Sequence, residues 1–325
     1  MGRTLAARLI EIAVTLALMS LVVYLLIGLM PGDPINMMIA GDPKMTSEDA
    51  ARLRALYEVD KPLLQRYLAW ATQALHGNLG YSRSFGMPVM AVLGPRLLNT
   101  LELAGMALVL SIAIALPLGM WAAARPHGRA DYFINLFSFA GISTPPFWLA
   151  LLLITLFSVK LGWLPAGGAA ELRPGAGFGA AVMANLRFAA LPVATLTVVQ
   201  LGTYTRFMRG AMIETLRQDY IRTARAKGAA ERIVLMGHAF RNALAPVLTI
   251  LALSFGALFS GAMITETMFA WPGMGATIYQ AIQTNDFNLA LVGLLLATFM
   301  TMAGNLLADI ALVAVDPRVS LTDRA

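Results

Sequence analysis

The sequence predicts an all-α integral membrane protein with six transmembrane helices and a helical outer-facing segment between helices 1 and 2. Three observations carry that prediction. The 325 residues are 58% hydrophobic and only 13% charged, where a soluble domain carries about 25% charged residues. The apolar residues gather into blocks close to the ~20-residue length that a helix needs to cross a bilayer's hydrocarbon core. Nearly all the charge lies between those blocks, whereas a soluble core helix keeps a polar face.

The first span, Leu9–Met30, exceeds the apolar core of a signal peptide. It ends in Met30-Pro31-Gly32-Asp33-Pro34 rather than a small-residue cleavage site, so it reads as an uncleaved helix within an N-terminal section 1–30. Segment 31–99 follows on the far side of the membrane. Pro31-Gly32-Asp33-Pro34 breaks the first helix. Thr46-Ser47-Glu48-Asp49 reads as a capping-box start, with Ala50, Leu53 and Leu56 on one face. A second helix starts at Pro62, with Asp60 near its cap and Leu64, Tyr67, Leu68, Ala71 and Leu75 as its apolar side. The segment suits a lid packed on the bundle or a docking surface for an external partner, and the two are compatible.

The remaining five spans fall within a core at 100–315: Thr100–Ala124, Phe133–Val159, Phe188–Thr205, Ala245–Met268 and Asn288–Val315. The third is interrupted by Gly141-Ile142-Ser143-Thr144-Pro145-Pro146, where the prolines free backbone carbonyls and kink the helix. Such a site is a hinge or a fixed bend. The fourth is short, contains Pro192, and can run on as helix into the water-facing segment after it. Residues 316–325 form a tail. With the N-terminus inside, fourteen of the 24 cations lie in inside segments, and the two short outer loops hold only Lys160, Arg173 and Arg187. Positive charge favours the cytoplasmic side, so both termini are placed there.

The three histidines, His76, His127 and His238, are widely spaced and there is no cysteine, which leaves no pattern for a metal or thiol site. Four acids sit in or beside spans, Glu11, Glu102, Glu266 and Asp309, and each lies near an end at ~1.5 Å rise per residue. Ionisable groups near a midplane mark ion-coupled transport. Their absence from these spans argues against a proton- or sodium-driven pump and against acid–base chemistry inside the membrane, so transport would draw its energy from elsewhere. Polar uncharged residues do align. Thr197, Gln200 and Tyr204 share a face of span four, and Thr298, Thr301 and Asn305 share one of span six together with Asp309. Polar side chains avoid lipid, so these faces serve helix–helix hydrogen bonding or line a solute pathway.

The inside loop 206–244 holds eight cations against Glu214, Asp219 and Glu231. Arg209-Gly210-Ala211-Met212-Ile213-Glu214-Thr215-Leu216 and the stretch Arg222–Lys227 favour helix, and Gly228 suits a helix end. A short helix follows from Ala229 to Met236, and the chain re-enters the membrane at Leu244. A basic loop against anionic lipid accounts for the charge. A short helix that docks into a cytoplasmic groove accounts for the small residues as well.

Here the sequence resembles the permease subunits of bacterial ATP-binding-cassette importers, in the dipeptide/oligopeptide/nickel group and of its first-permease type. The general importer signature is Glu-Ala-Ala, three residues, Gly, nine residues, Ile-x-Leu-Pro. Arg222-Thr223-Ala224 and Gly228 match its first parts, and His238-Ala239-Phe240-Arg241 replaces its last. Ala224-Arg225-Ala226-Lys227-Gly228 with His238-Ala239-Phe240-Arg241-Asn242-Ala243-Leu244 is similar to the peptide-permease variant. Pro31-Gly32-Asp33-Pro34, Asp60-Lys61-Pro62-Leu63, Gly77-Asn78-Leu79-Gly80-Tyr81-Ser82 and Leu161-Gly162-Trp163-Leu164-Pro165 extend the likeness. Glu266-Thr267-Met268-Phe269-Ala270-Trp271-Pro272-Gly273-Met274-Gly275 and Asp316-Pro317-Arg318 carry it over nearly the whole chain.

The resemblance implies an importer-type permease fold in a bacterial cytoplasmic membrane. It implies a second homologous permease, two ATP-binding subunits that hold ATP and magnesium, an external binding protein, and no cofactor on this chain or nucleic-acid partner. The phosphate-binding loop Gly-x4-Gly-Lys-Ser/Thr is missing from the sequence, so hydrolysis belongs to other chains. By the match, Arg222, Thr223, Ala224 and Gly228 dock the ATPase, with Arg225 and Lys227 as polar flanks. Glu266 and the Trp271-Pro272-Gly273 turn form an outer gate, a binding-protein contact or simply a connection between spans. A secondary transporter or channel would instead move solute alone on an ion gradient. A scaffold or membrane enzyme would give no flux with or without an ATPase.

Overall fold

The computed structural model describes residues 2–28, 61–170 and 177–315. The expected outer helix with Ala50, Leu53 and Leu56, the Pro31–Pro34 break and the 316–325 tail lie outside the described residues. The described chain is nearly all helix. In order come α1 (Gly2–Gly28), α2 (Leu63–Leu75), a hairpin of β1 (Tyr81–Ser82) and β2 (Met87–Pro88), α3 (Val89–Ala124) and α4 (Arg129–Ser143). Next are α5 (Pro146–Leu153), a π-wound stretch Ile154–Lys160, α6 (Phe178–Leu216) and α7 (Asp219–Ala226). One turn at Glu231–Ile233 and a second π-wound stretch, Val234–Phe240, lead into α8 (Arg241–Met268), α9 (Met274–Gln283) and α10 (Phe287–Val315). Among the described residues five helical stretches are long and apolar enough to cross a membrane, and up to six when the bent pair α4 and Pro146–Lys160 counts as one span.

The expected third span is therefore broken, by 102°. Thr144 and Pro145 are both extended, as residues that precede proline tend to be, and two in succession stop a helix outright. The fourth span does run on as helix, to Leu216, with Pro192 inside it. The second starts at Val89, well before Thr100.

Two compact units divide the chain, one of Leu98–Ala276 with Met300–Ala325 and one of Gly2–Leu97 with Thr277–Phe299. In the first, α6 packs against α4, α5 and α8. The α4–α6 approach is close because it is made by glycine. A Cβ on Gly202 would run into the Ser138 carbonyl, and one on Gly141 would lie 2.9 Å from the Val198 carbonyl.

In the second unit, α2 lies against α1 through Tyr67, whose hydroxyl is 2.9 Å from Ser20 Oγ and whose ring meets Tyr24 edge-on. The apolar side read from the sequence is split there. Tyr67 and Ala71 are half-buried, while Leu64, Leu68 and Leu75 are exposed. The hydroxyl pairing with Ser20 turns the aromatic edge of α2, rather than its leucines, toward α1. The hairpin is stapled to the turn before α10. Buried Asp286 accepts from Ser82 Oγ at 2.6 Å and from the Ser84 amide at 2.9 Å. Arg83 donates to the Thr284 carbonyl.

Candidate functional site

The loop 206–244 folds as an elbow. After α6 ends at Leu216, two residues turn the chain into α7. A single side chain anchors that helix. Ile221 is fully buried in a cluster with Ala123, Met208, Met212, Val234, Ala239, Ala243 and Val247. Ala224 and Ala229 pack on its edge. The opposite face is open: Arg222, Thr223, Arg225, Ala226, Lys227 and Gly228 are exposed. Of the six residues expected to couple, five thus face outward and Ala224 faces the core.

The end of α7 is closed by a Schellman pair. The Gly228 amide donates to the Arg225 carbonyl at 2.9 Å, and the Ala229 amide donates to the Ala224 carbonyl at 3.2 Å. This motif needs a left-handed residue between them, and Gly228 supplies it at φ +80°. A Cβ there would meet nothing within 4 Å. Glycine is required by its backbone angle, not by crowding. Arg225 forks onto Glu231 across the turn, at 2.7 and 3.2 Å, which ties the two arms of the elbow. Its guanidinium is thus engaged within the chain. Thr223 Oγ1 donates to the Asp219 carbonyl at 3.0 Å, and Arg222 approaches Asp219 at 3.5 Å. Burial pushes the half-exposed Tyr220 hydroxyl above the usual phenol range, so the charge of the open face is set by Asp219, Arg222, Arg225 and Lys227.

A second ordered turn follows α8. Glu266 is fully buried. Its carboxylate accepts from Thr100 Oγ1 at 2.5 Å, from the Ala276 amide at 2.9 Å and from the Gly275 amide. These amides open α9, so Glu266 caps that helix from outside it. Asn99 Nδ2 donates to the Pro272 carbonyl at 2.8 Å, Trp271 Nε1 donates to the Asn99 carbonyl at 3.1 Å, and the Met274 amide donates to Thr100 Oγ1 at 2.8 Å. Gly273 has no room for a side chain, because a Cβ would collide with the Glu266 carboxylate. The Gly168 amide adds a bond to the Phe269 carbonyl at 2.8 Å. Glu266, Trp271, Pro272 and Gly273 are therefore brought into one knot with Asn99 and Thr100.

The residues expected on a polar pathway are placed less uniformly. Thr197 and Tyr204 are buried, and the Tyr204 hydroxyl donates to Gln200 Oε1 at 3.2 Å. Gln200, Thr298, Thr301 and Asn305 are half-buried. Thr298 Oγ1 bonds back to the Leu294 carbonyl at 2.9 Å, while Asn305 Oδ1 is buried with no partner among the described residues. Of the acids near span ends, Glu11 pairs with Arg8 and Glu102 accepts from Asn185. Among the described residues no group of three His, Asp or Glu side chains could hold a metal ion.

Sequence reasoning missed three features. The anchor Ile221 is the one large aliphatic residue in a charged helix, which is itself a signal in the sequence. Asp131 with Arg209, and Asp286 with Ser82, join residues 78 and 204 positions apart, and no local pattern announces them.

Comparisons with known proteins identify the family to which the chain is similar. Residues 115–321 match the family described as binding-protein-dependent transport system inner membrane component. The oligopeptide transport system permease protein of Bacillus subtilis is 36% identical, over 89% of this chain and 90% of its own. The di/tripeptide transport system permease protein of Pseudomonas aeruginosa is 37% identical, over 92% of this chain and 93% of its own. An inward-facing crystal form of a methionine ABC transporter superposes with a TM-score of 0.55 at 19% identity, covering 70% of this chain and 97% of that one. At that identity the likeness concerns the fold alone.

Proposed function

The chain belongs to the family of binding-protein-dependent transport system inner membrane components, and on that premise we propose that it forms half of a translocation pathway for peptides or similar small solutes, driven by separate ATPase subunits docked on the elbow at α7. It is a membrane transport subunit and not itself an enzyme. The names of the relatives from Bacillus and Pseudomonas support a peptide-class solute. A second, related permease completes the pathway, two ATP-binding subunits hold ATP and magnesium, and an external binding protein delivers the solute.

One observation carries the reading. A short helix is held by one buried isoleucine, presents its other face openly, and is ended by a glycine that only its backbone angle requires. A helix packed merely for stability would hide more of its surface. A loop that merely touched lipid would need neither the anchor nor the Schellman turn.

In this reading both termini and α7 are cytoplasmic, residues 31–99 form the outer segment, and 100–315 is the permease core with its coupling loop at 206–244. Arg222, Thr223, Lys227 and Gly228 meet the ATPase, Ala224 packs beside the Ile221 anchor, and Arg225 braces the turn through Glu231. Gln200, with Thr197 and Tyr204 buried on the same helix, and Thr298, Thr301 and Asn305 of α10 each contribute to the solute pathway. Glu266 and Trp271-Pro272-Gly273 form a rigid outer block. Its buried side chains support a gate or a partner contact without making the contact themselves.

The test is Gly228→Val in the assembled transporter. A β-branched residue at a positive φ is strained by at least about 1–2 kcal/mol, so the elbow should change shape while membrane insertion stays intact. Solute uptake should fall sharply and ATP hydrolysis should lose its dependence on the binding protein. Uptake at the normal rate by this variant, or uptake by the isolated chain with no ATPase, would overturn the proposal.

A further inference from the structure

Asp131 lies in the first turn of α4 and is 3% exposed. Its carboxylate receives four donors. Arg209 of α6 forks onto it, Nε to Oδ1 at 2.5 Å and Nη2 to Oδ2 at 2.8 Å. The His127 amide reaches Oδ2 at 2.8 Å and Asn135 Nδ2 reaches Oδ1 at 2.6 Å. A planar two-point bond of this kind fixes distance and angle together. The same carboxylate accepts from the amide of His127, which stands at φ 65°, a conformation that non-glycine residues avoid. Elsewhere α4 meets α6 through the glycine contacts at Gly141 and Gly202 and through the Arg206 guanidinium, 4.5 Å from the centre of the Phe139 ring. Glycine contacts allow close approach without fixing register, and a cation over a ring face tolerates more sliding than a two-point fork does.

The position of Arg209 gives the bond a mechanical meaning. It stands between Met208 and Met212, both fully buried in the cluster that seats Ile221 of α7. Displacing α7 therefore displaces the stretch of α6 that carries Arg209. Asp131 sits at the start of α4, and α4 ends at the 102° break before α5. We propose that the Asp131–Arg209 pair is a positioning link that makes α4 follow α7 and the end of α6 as one body, delivering the docking stroke to the break at Thr144–Pro145. The idea rests on the docking role proposed above and adds the route by which the stroke reaches the broken span.

The experiment uses the full transporter. Arg209→Lys keeps the positive charge and the fold but loses the fork. Solute moved per ATP hydrolysed should fall about tenfold, the size expected when a coupling between contacting residues of about 1.4 kcal/mol is lost, while the yield of assembled complex stays at the normal level. A direct reading of motion accompanies it. The chain has no cysteine, so spin labels can be placed at Tyr132→Cys on α4, where the native side chain is 67% exposed, and at Gly210→Cys on α6, where a Cβ meets nothing within 4 Å. Their separation should stay fixed through the nucleotide cycle with Arg209 present and should change with nucleotide in the Arg209→Lys background. A normal transport-to-ATP ratio in Arg209→Lys, or a label separation that changes with nucleotide when Arg209 is intact, overturns the link. If Gly228→Val were also without effect, the docking role itself would have failed. If only the Arg209 results were negative, docking would stand and the route would be wrong.

Discussion

Two helices of this chain, α7 and α8, end in the same hydrogen-bonded motif, and the residues that close them differ in kind. At α7 the left-handed position is Gly228, exposed, with nothing near its Cβ direction. At α8 it is Ala270, at φ 48°, with the Ala270 amide on the Thr267 carbonyl and the Trp271 amide on the Glu266 carbonyl. Alanine is disfavoured there by about 1–2 kcal/mol. The residues on both sides hold it in place. Phe269 and Trp271 are buried, and the turn is bonded to Asn99, Thr100, Gly168 and the Glu266 carboxylate. The elbow at Gly228 has no such surroundings, so its geometry must come from the residue itself. An element that leaves its surface free depends on local chemistry for its shape. An element built as a block can tolerate local strain because its packing over-determines it.

Substitutions at the two helix ends test this difference. Glu266→Ala should have the largest effect. It strips the acceptor from two backbone amides and the Thr100 hydroxyl, and unpaired buried donors cost about 1–3 kcal/mol each. The detergent-solubilised complex should unfold many degrees earlier in a thermal melt. A melt close to that of the parent would show that the outer turn is not held by this carboxylate. Ile221→Ala should come next, at about 2–4 kcal/mol for an emptied core site, but confined to the elbow. Limited trypsin cleavage at Arg222 and Arg225 should speed up while the bulk melting temperature barely moves. If cleavage were unchanged, α7 would have an anchor other than Ile221. Smallest is Ala270→Gly, which relieves a strained angle and should stabilise by no more than about 1 kcal/mol, because the greater freedom of glycine in the unfolded chain offsets part of the gain. A destabilised Ala270→Gly would mean that the alanine methyl contributes packing that its exposed position does not suggest.

Particular residues show where sequence reading reached and where it stopped. The end of α7 was legible because glycine after a helical run is itself a signal for a left-handed cap. The matching end of α8 was not, since Ala270 carries no such mark. The break in the third span was legible as proline chemistry but not as an angle. Thr144 and Pro145 are forced into extended backbone by their successors, and the packing of α4 and α5 against α6 and α8 sets how far the chain then turns. The knot at Glu266 had its residues in view, but its bonds go to Thr100 and Asn99, more than 160 positions away.

The class of protein, the apolar lengths that become spans, and the small-residue helix with its glycine elbow follow from local composition, helix period and backbone freedom, and so can be read from the residues alone. Which side of α7 is seated, that Glu266 caps α9 and that Asp131 is bound to Arg209 are properties of the folded chain. Ile221 is seated because an apolar side chain leaves water where other helices offer it a cavity. Glu266 and Asp131 are bound because a buried charge or hydrogen-bonding group must find a partner once water is removed. In all three the partner depends on helices brought together in space from far apart in the chain.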